Sequence, residues 1–500
     1  MAIGLMNTPW RQWQQRDPQR IALQLEQKTL TWQQVTEQVD QYAAALELAG
    51  LRSGDVLTLV GKNQPSMLWW LLAAMQQGVI CAITMPQPAA QLIEKLTRLY
   101  RSQPAWLWLS PSLNALSDEL KVSYPSPLQL IEPPSDQVFS SAGSSIAVLD
   151  RDRDRDSEVA CSAAYALDNL ATLIFTSGSM GVPKAVAHTH RQHFASAEGL
   201  LARFAFSEQD TWLLSLPLYH VSGLAIVYRW LAVGGCLKLG TGQLLDDIQQ
   251  VSHASLVVTQ LQRLLASQQP LSLSHVLLGG SHIPLTLAQQ AAQQGIETWI
   301  GYGMTEAAST VTAKPVDETA SAGQVLPKRQ VKVVDRRIWI AGETLASGYY
   351  QQGILTPLTN QDGWFDSGDL GAWYGDELCI IGRADNLFIS GGENIHCEEI
   401  ETVLARHPQI ELAVVVPVQD AEFGARSIAV LRCHSLPDQK QLGEWLADKL
   451  EKFKHPIAYW QLPDTLTESG IKISRQAVKN WFADQQSRYT PLDQRQSPRS

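Results

Sequence analysis

An apolar run from 171 to 175 ends in Thr176-Ser177-Gly178-Ser179-Met180-Gly181-Val182-Pro183-Lys184. Gly178 and Gly181 let the backbone turn its N–H groups inward. The hydroxyls of Thr176, Ser177 and Ser179 add donors, and Lys184 closes the loop with a positive charge. Such a cradle suits the oxygens of a phosphate. It is not the common nucleotide loop: Pro183 stands where that loop needs its second glycine, and Ala185 where it needs Ser or Thr. The chemistry it suggests is the binding of an anion.

At this point the sequence resembles the adenylate-forming superfamily of acyl-CoA synthetases, luciferases and peptide-synthetase adenylation domains. That family usually has glycine after the lysine, where this chain has Ala185. Further segments fall in the family's order. Leu216-Pro217-Leu218-Tyr219-His220-Val221-Ser222-Gly223 resembles its acyl-pocket motif, which implies that His220 stands between acyl pocket and thiol tunnel and that Ser222 lines the pocket. Leu277-Leu278-Gly279-Gly280-Ser281 resembles the strand and turn that approach adenine. Gly301-Tyr302-Gly303-Met304-Thr305-Glu306 is the next signature: Tyr302 would stack on adenine, Thr305 would donate to the α-phosphate, and Glu306 would offer Mg2+ a hard oxygen. Trp364-Phe365-Asp366-Ser367-Gly368-Asp369 resembles the ribose motif, with Asp369 as acceptor. Gly382-Arg383-Ala384-Asp385 resembles the family hinge, with Arg383 facing the ribose and Asp385 as pivot. Gly391 and Gly392 would line the pantetheine tunnel. Gly470-Ile471-Lys472-Ile473-Ser474-Arg475 resembles the catalytic-lysine motif, with Ile471 inserted where the family writes Gly-Lys; Lys472 keeps the spacing to Arg475.

The resemblance spans about residue 10 to 480. It implies ATP, Mg2+ and coenzyme A as the small molecules used, and an acid that is adenylated and then passed to a thiol. The acyl-pocket segment lacks the aspartate that holds an amino group in amino-acid activators, and no carrier segment follows Lys472, so coenzyme A is the expected thiol. The stretches LPLYHVSGLAIVYRWL, SGGENIHCEEIE and GIKISRQAVK resemble the members of the superfamily that ligate 2-succinylbenzoate in menaquinone biosynthesis. That aromatic dicarboxylic acid keeps one carboxylate free. Arg229 interrupts the apolar run 224–231, and its planar fork suits a carboxylate. The alternative is an arginine that snorkels outward or pairs with a structural acid. Another aryl- or acyl-CoA ligase, or a relative that only binds nucleotide, also stays open here; the presence of Lys472, Glu306 and Asp369 speaks against the last.

These side chains need a scaffold. Residues 35–48 and 67–76 read as helices around a strand at 56–60, which predicts a layered α/β domain. A second α/β stretch covers 165–310, and strands are expected at 330–334 and 337–340. After Arg383 the pattern resets to a helix at 398–406, strands at 412–417 and 427–433, and a helix at 438–452. The expected architecture is a large N-terminal layered α/β domain, 1–382, a hinge at 383–385, and a small mobile α+β domain, 386–484. A polar loop is expected across 132–160, and a disordered tail over 485–500.

Bulk properties agree. A chain of 500 residues exceeds one ordinary core. Its net charge of -10 argues against a broad nucleic-acid surface. Six cysteines, none in a C-x-x-C pair, read as thiols of a reducing compartment. Neither a signal peptide nor a span long enough for a bilayer is expected. The reading is a cytoplasmic enzyme of small molecules without a membrane anchor; the sequence leaves a homo-oligomer open.

Overall fold

The computed structural model describes residues 8–101, 104–134, 165–177, 183–279, 283–390, 393–420, 422–466, 473 and 475–488. Its frame is a pair of sheets of eight and thirteen strands. Each has a parallel heart. In the smaller sheet Val56–Val60 pairs in parallel with Ile80–Thr84, which pairs in parallel with Leu170–Ser177. In the larger, Thr211–Leu213, His253–Leu256, His275–Leu278 and Glu297–Met304 run parallel in that order.

The period of two along these strands sorts the core into layers. Leu57, Leu59, Cys81, Ile83 and Ile174 of the smaller sheet share one cluster with Trp212, Leu214, Leu237 and Leu277 of the larger. Between the two faces lie the helices Trp32–Ala49, Pro65–Gln77, His190–Leu201 and Val221–Val233. The alternate residues point outward: Val56, Val60, Ile80 and Ala82 onto Ala89–Leu99, and Val276 and Leu278 onto Val258–Ala266 and Leu285–Gln293. Thr31 with Gln34, and Thr189 with Gln192, cap two central helices by reciprocal bonds.

One side chain ties the two sheets together. Asn63, just past the strand Val56–Val60, donates to Leu214 O (3.2 Å) and Leu216 O (2.8 Å) and accepts from Leu218 N (2.8 Å). It thereby fixes the segment 214–218 that follows a strand of the other sheet. Gly223 completes the fit: a Cβ there would stand 2.2 Å from Pro217 O.

The C-terminal part is smaller and differently built. Leu412–Asp420 and Gly424–Arg432 form an antiparallel pair, with Tyr459–Gln461 added in parallel. Cys397–Leu404 and Gln439–Ala447 cover one face, and Arg475–Arg488 lies on the other. A mixed α/β molecule with a large N-terminal and a smaller C-terminal domain is therefore present. Local limits differ from expectation. The helix expected over 438–452 stops at Ala447, where the chain turns to bury Leu450 and to bring Lys454 to Glu399 (2.7 Å). The last helix runs to Arg488, past the expected start of the tail, because Val478, Trp481 and Phe482 pack on Val414 and Val416. The expected polar loop is described only to residue 134, and the remainder of the tail lies outside the described residues. No described helix is long and apolar enough to cross a membrane.

The central layer also buries a histidine cluster. His193 stacks on Tyr228 with centroids 4.4 Å apart and bonds Thr172 Oγ1 at 2.8 Å; His190 Nδ1 meets Tyr228 OH at 3.0 Å. Burial pushes His188 down to about 4 and His190 to about 3, and drives His193 down as well, helped by its neighbours' charge. These imidazoles are neutral when folded and protonate near 6.5 when unfolded, so the unfolded state binds more protons below that value. Stability is complete above pH 6.5 and declines as pH falls toward about 4. The expected slope reaches ~1.4 kcal/mol per pH unit for each imidazole, measurable by urea denaturation across that window; a flat profile from pH 7 to 4.5 would contradict it. Asn63→Ala should cost about 1–3 kcal/mol of unfolding free energy through the groups it strands, read from the same denaturation experiment at neutral pH.

Candidate active site

Open parallel sheets take ligands at the carboxyl ends of their strands, and the functional side chains gather there. The strand Leu170–Ser177 pairs antiparallel with Pro183–Thr189, with Thr176 opposite Lys184. Lys184 Nζ lies 4.7 Å from the Tyr349 ring centroid. Tyr349 OH in turn donates to Glu306 Oε1 at 3.3 Å. Of the loop itself, Gly178, Ser179 and Gly181 lie outside the described residues, as does the Ser177 side chain.

Glu306 follows the strand Glu297–Met304, whose glycines bring backbones close. A Cβ on Gly303 would fall 2.0 Å from Ser309 O. Burial raises the Glu306 carboxyl, against the opposing pull of its own backbone, Tyr349, Arg383 and Lys184. A single carboxylate so placed fits Mg2+, which takes one or two protein carboxylates and draws its other ligands from phosphate and water. Among the described residues no group of three or more acids, histidines and cysteines could hold a metal without such help.

Thr305 is held from behind. His188 Nε2 donates to its carbonyl at 2.8 Å, which leaves His188 Nδ1 as a bare acceptor with no partner. The sequence reading missed His188, Asn63 and Tyr349. An imidazole in the strand after Lys184 was its visible trace.

Tyr302, Asp369 and Arg383 meet. Tyr302 OH donates to Asp369 Oδ2 at 2.5 Å, and Arg383 NH1 reaches Asp369 Oδ1 at 3.2 Å. Arg383 also donates to Ser367 O (2.9 Å) and to both oxygens of Asp385 (3.1 and 3.3 Å). Burial and then the Asp369 charge push the Tyr302 phenol up. Gly368 has φ +74, and a Cβ there would come within 2.9 Å of Arg383 NH2. These three groups, far apart in the sequence, thus form one self-paired cluster. Gly301 lies in the same strand, and Gly279 ends His275–Leu278 with nothing within 4 Å of an added Cβ, open room beside the sheet edge. Gly280, Ser281, Gly391, Gly392 and Lys472 lie outside the described residues.

His220 caps the helix Val221–Val233 from its N-terminus, edge-on to Tyr219 at 4.8 Å, and Ser222 stands half-buried in its first turn. Burial, then the charge of Lys95, lowers His220 and keeps it neutral. Two turns further in, Arg229 is 1% exposed. Its guanidinium lies 5.2 Å from the Trp212 ring, its Nε has no hydrogen-bond partner, and no described acid pairs with it. Burial, then the charge of Arg329, pushes it down to about 9, which leaves it cationic at neutral pH. Neither snorkelling nor pairing with a structural acid therefore accounts for it.

Comparison with known proteins agrees with this geometry. The family model described as AMP-binding enzyme matches residues 10–350, and that of the AMP-binding enzyme C-terminal domain matches 399–470. The chain is 40% identical to a 2-succinylbenzoate–CoA ligase of Salmonella typhimurium, over 95% of this chain and 98% of that protein. Among solved structures it is similar to an arginine-to-lysine variant of Escherichia coli MenE with bound OSB-AMS, at TM-score 0.84 and 37% identity, covering 97% of this chain and 100% of the other. It is also similar to the Bacillus subtilis o-succinylbenzoate coenzyme A synthetase in complex with ATP and magnesium ion, at TM-score 0.76 and 26% identity, covering 91% and 95%. With two nucleotide-site clusters at the strand ends and both family models matched in order, the chain belongs to the AMP-binding, adenylate-forming enzymes.

Proposed function

We infer that the chain is an ATP-dependent ligase that adenylates 2-succinylbenzoate, releasing pyrophosphate, and then transfers the acyl group to coenzyme A, releasing AMP. The observation that carries the choice of acid is Arg229: a buried guanidinium without a counter-charge, behind the acyl-pocket segment. A buried cation needs a partner, and this acid brings one in its non-reacting carboxylate. The relatives named above act on the same acid by their names. The product belongs to menaquinone biosynthesis, and the reaction belongs in the cytoplasm, where ATP and coenzyme A are supplied.

A carboxylate is a poor electrophile, and attack on the α-phosphate converts it to a mixed anhydride with a good leaving group. The barrier is mainly charge crowding, so cations and positioned donors dominate catalysis. Lys472 bridges the carboxylate and the α-phosphate. Thr305, fixed by His188, donates to the α-phosphate. Lys184, with the hydroxyls and N–H groups of Thr176, Ser177, Gly178, Ser179 and Gly181, holds the departing pyrophosphate. Mg2+ bound through Glu306 offsets phosphate charge. Adenine lies against Tyr302 and Gly301–Gly303 and beside Gly279, Gly280 and Ser281, and the ribose hydroxyls replace Tyr302 and Arg383 as partners of Asp369. The acid lies along Ser222 toward Arg229, and the thiol reaches it past His220 by a tunnel that Gly391 and Gly392 line. Between the two steps the C-terminal domain, 386–484, rotates on the hinge 383–385 with Asp385 as pivot, withdrawing Lys472.

The acid assignment is tested by acid-dependent AMP release with coenzyme A, comparing 2-succinylbenzoate with benzoates and fatty acids; a preference for either of the latter would point to another acyl-CoA ligase. Arg229→Ala removes a charge-assisted bond of roughly 1.5–3 kcal/mol. It should raise the KM for the acid about ten- to a hundredfold and leave the KM for ATP unchanged. An analogue lacking the ring carboxylate should be poor with the native enzyme and lose little more on mutation; equal loss on both acids would make Arg229 structural. Lys472→Ala should abolish acyl-adenylate formation yet still convert supplied acyl-adenylate to thioester, as single-turnover assays of each half-reaction would show.

A further inference from the structure

We propose that Lys95 is a phosphate-contacting residue of this active site, separate from the loop 176–184, and that its ligand is a phosphate of ATP or of coenzyme A. The inference rests on the ligase reading above. Lys95 lies on the helix Ala89–Leu99, between Leu92, Leu96 and Leu99, which are all buried in the outer cluster. Its side chain is drawn inward with them. The ammonium donates to Thr84 Oγ1 at 2.7 Å and lies 4.9 Å from the ring centroid of Phe175. Thr84 ends the strand Ile80–Thr84, and Phe175 lies one residue before Thr176 on the neighbouring parallel strand. The cation therefore stands at the carboxyl edge of the sheet, where ligands of open parallel sheets are held.

No acid answers it. Glu94, its chain neighbour, turns to Arg98 at 3.5 Å, and among the described residues Thr84 Oγ1 is the sole acceptor that Lys95 finds. A half-buried ammonium with spare donors and no anion is destabilising unless a ligand supplies the charge. Burial, against the charge of Glu94, pushes Lys95 down to about 8, and the charge of Lys95 helps to lower His220. Arg229, with its planar fork, is matched to a carboxylate. A lysine is a compact point charge that suits the oxygens of a phosphate.

Lys95→Met keeps the apolar stem against Phe175 and removes the charge, and Lys95→Arg keeps the charge. Four constants decide the matter: the KM for ATP and the inhibition constant of pyrophosphate in the adenylation step, and the KM for coenzyme A and for pantetheine, which lacks the nucleotide phosphates, in the thioester step from supplied acyl-adenylate. With Lys95→Met we expect roughly a tenfold or larger rise in a phosphate ligand's constant, an unchanged KM for the acid, and recovery of most of the loss with Lys95→Arg. A rise for ATP or pyrophosphate assigns the contact to the triphosphate; a rise for coenzyme A with pantetheine unchanged assigns it to the coenzyme. The melting temperature of Lys95→Met should hold or rise, since an uncompensated cation is gone. A folded variant with all four constants unchanged, or with only the KM for the acid raised, overturns the proposal, as does an equal rise for coenzyme A and pantetheine without one for ATP or pyrophosphate. Failure of the native enzyme to make the thioester would instead overturn the ligase reading, which the same assays report before any variant is compared.

Discussion

Positive charge buried without negative charge beside it is the constraint around which this molecule is organised. The helix Val221–Val233 lies between two sheets with almost every side chain buried, and Arg229 is among them. Arg329 is buried nearby, close enough to lower Arg229, and spends its guanidinium on the carbonyls of Ser196 (2.9 Å) and Pro327 (2.8 Å). A chain with a net charge of -10 has acids to spare, yet among the described residues none is placed against Arg229. Like-charge repulsion and desolvation both favour the arrival of an anion. The ligand-binding energy is in this sense stored in the fold, as a cost that binding removes.

The same constraint explains the neutral groups around it. A cationic imidazole in the central layer would add to the repulsion, and His188, His190 and His193 are held neutral by burial; His190 and His193 meet at Tyr228, and the His188 ring lies 4.8 Å from that of His193. The cluster then has a mechanical use. His188 is bonded to the Thr305 carbonyl, while Tyr228 precedes Arg229 in the chain. The Gly301–Glu306 signature and the helix that carries Arg229 thus share one packed, hydrogen-bonded support, with Asn63 fixing the segment 214–218 from the other sheet.

Much of this was legible in the sequence because it depends on local types and spacing. The Tyr302–Glu306 signature and the helix at 67–76 each carry their structure within a dozen residues. What stayed hidden is non-local. Asn63 clamps a segment some 150 positions away, and nothing in its neighbourhood distinguishes it from a turn asparagine. His188 reaches Thr305 across a similar gap. The pairing of Tyr302 with Asp369 was missed for a related reason: each was read as an isolated ligand contact, whereas two strands of one sheet that are not neighbours in it, Glu297–Met304 and Phe365–Tyr374, bring them together. Helix ends were also set by distant partners, as where Lys454 meets Glu399 and Val478 meets the C-terminal sheet.

Self-pairing also bears on the order of events in the proposed cycle. Asp369 is engaged by Tyr302 and Arg383, and Arg383 by Asp385, so the ribose must displace bonds to the hinge stretch itself. On the far side of that stretch Asn386 donates to Glu398 Oε1 at 2.5 Å, and Arg475 holds Glu398 and Glu401 at 3.0 and 2.6 Å. Arg475 follows Lys472 by three positions. Two runs of charge-assisted bonds therefore meet where Asp385 adjoins Asn386: one passes through Arg383 and Asp369 to Tyr302, the other through Glu398 to Arg475. Glu398 Oε2 has no partner, and a Cβ on Gly382 would stand 2.7 Å from it. Packing that tight, on a glycine with φ +154, leaves only this residue type able to follow a change of backbone angle there. The cluster around Asp369 and the stretch 383–385 are in this way connected by contact, and a change at Arg383 alters the bonds of Asp385 directly.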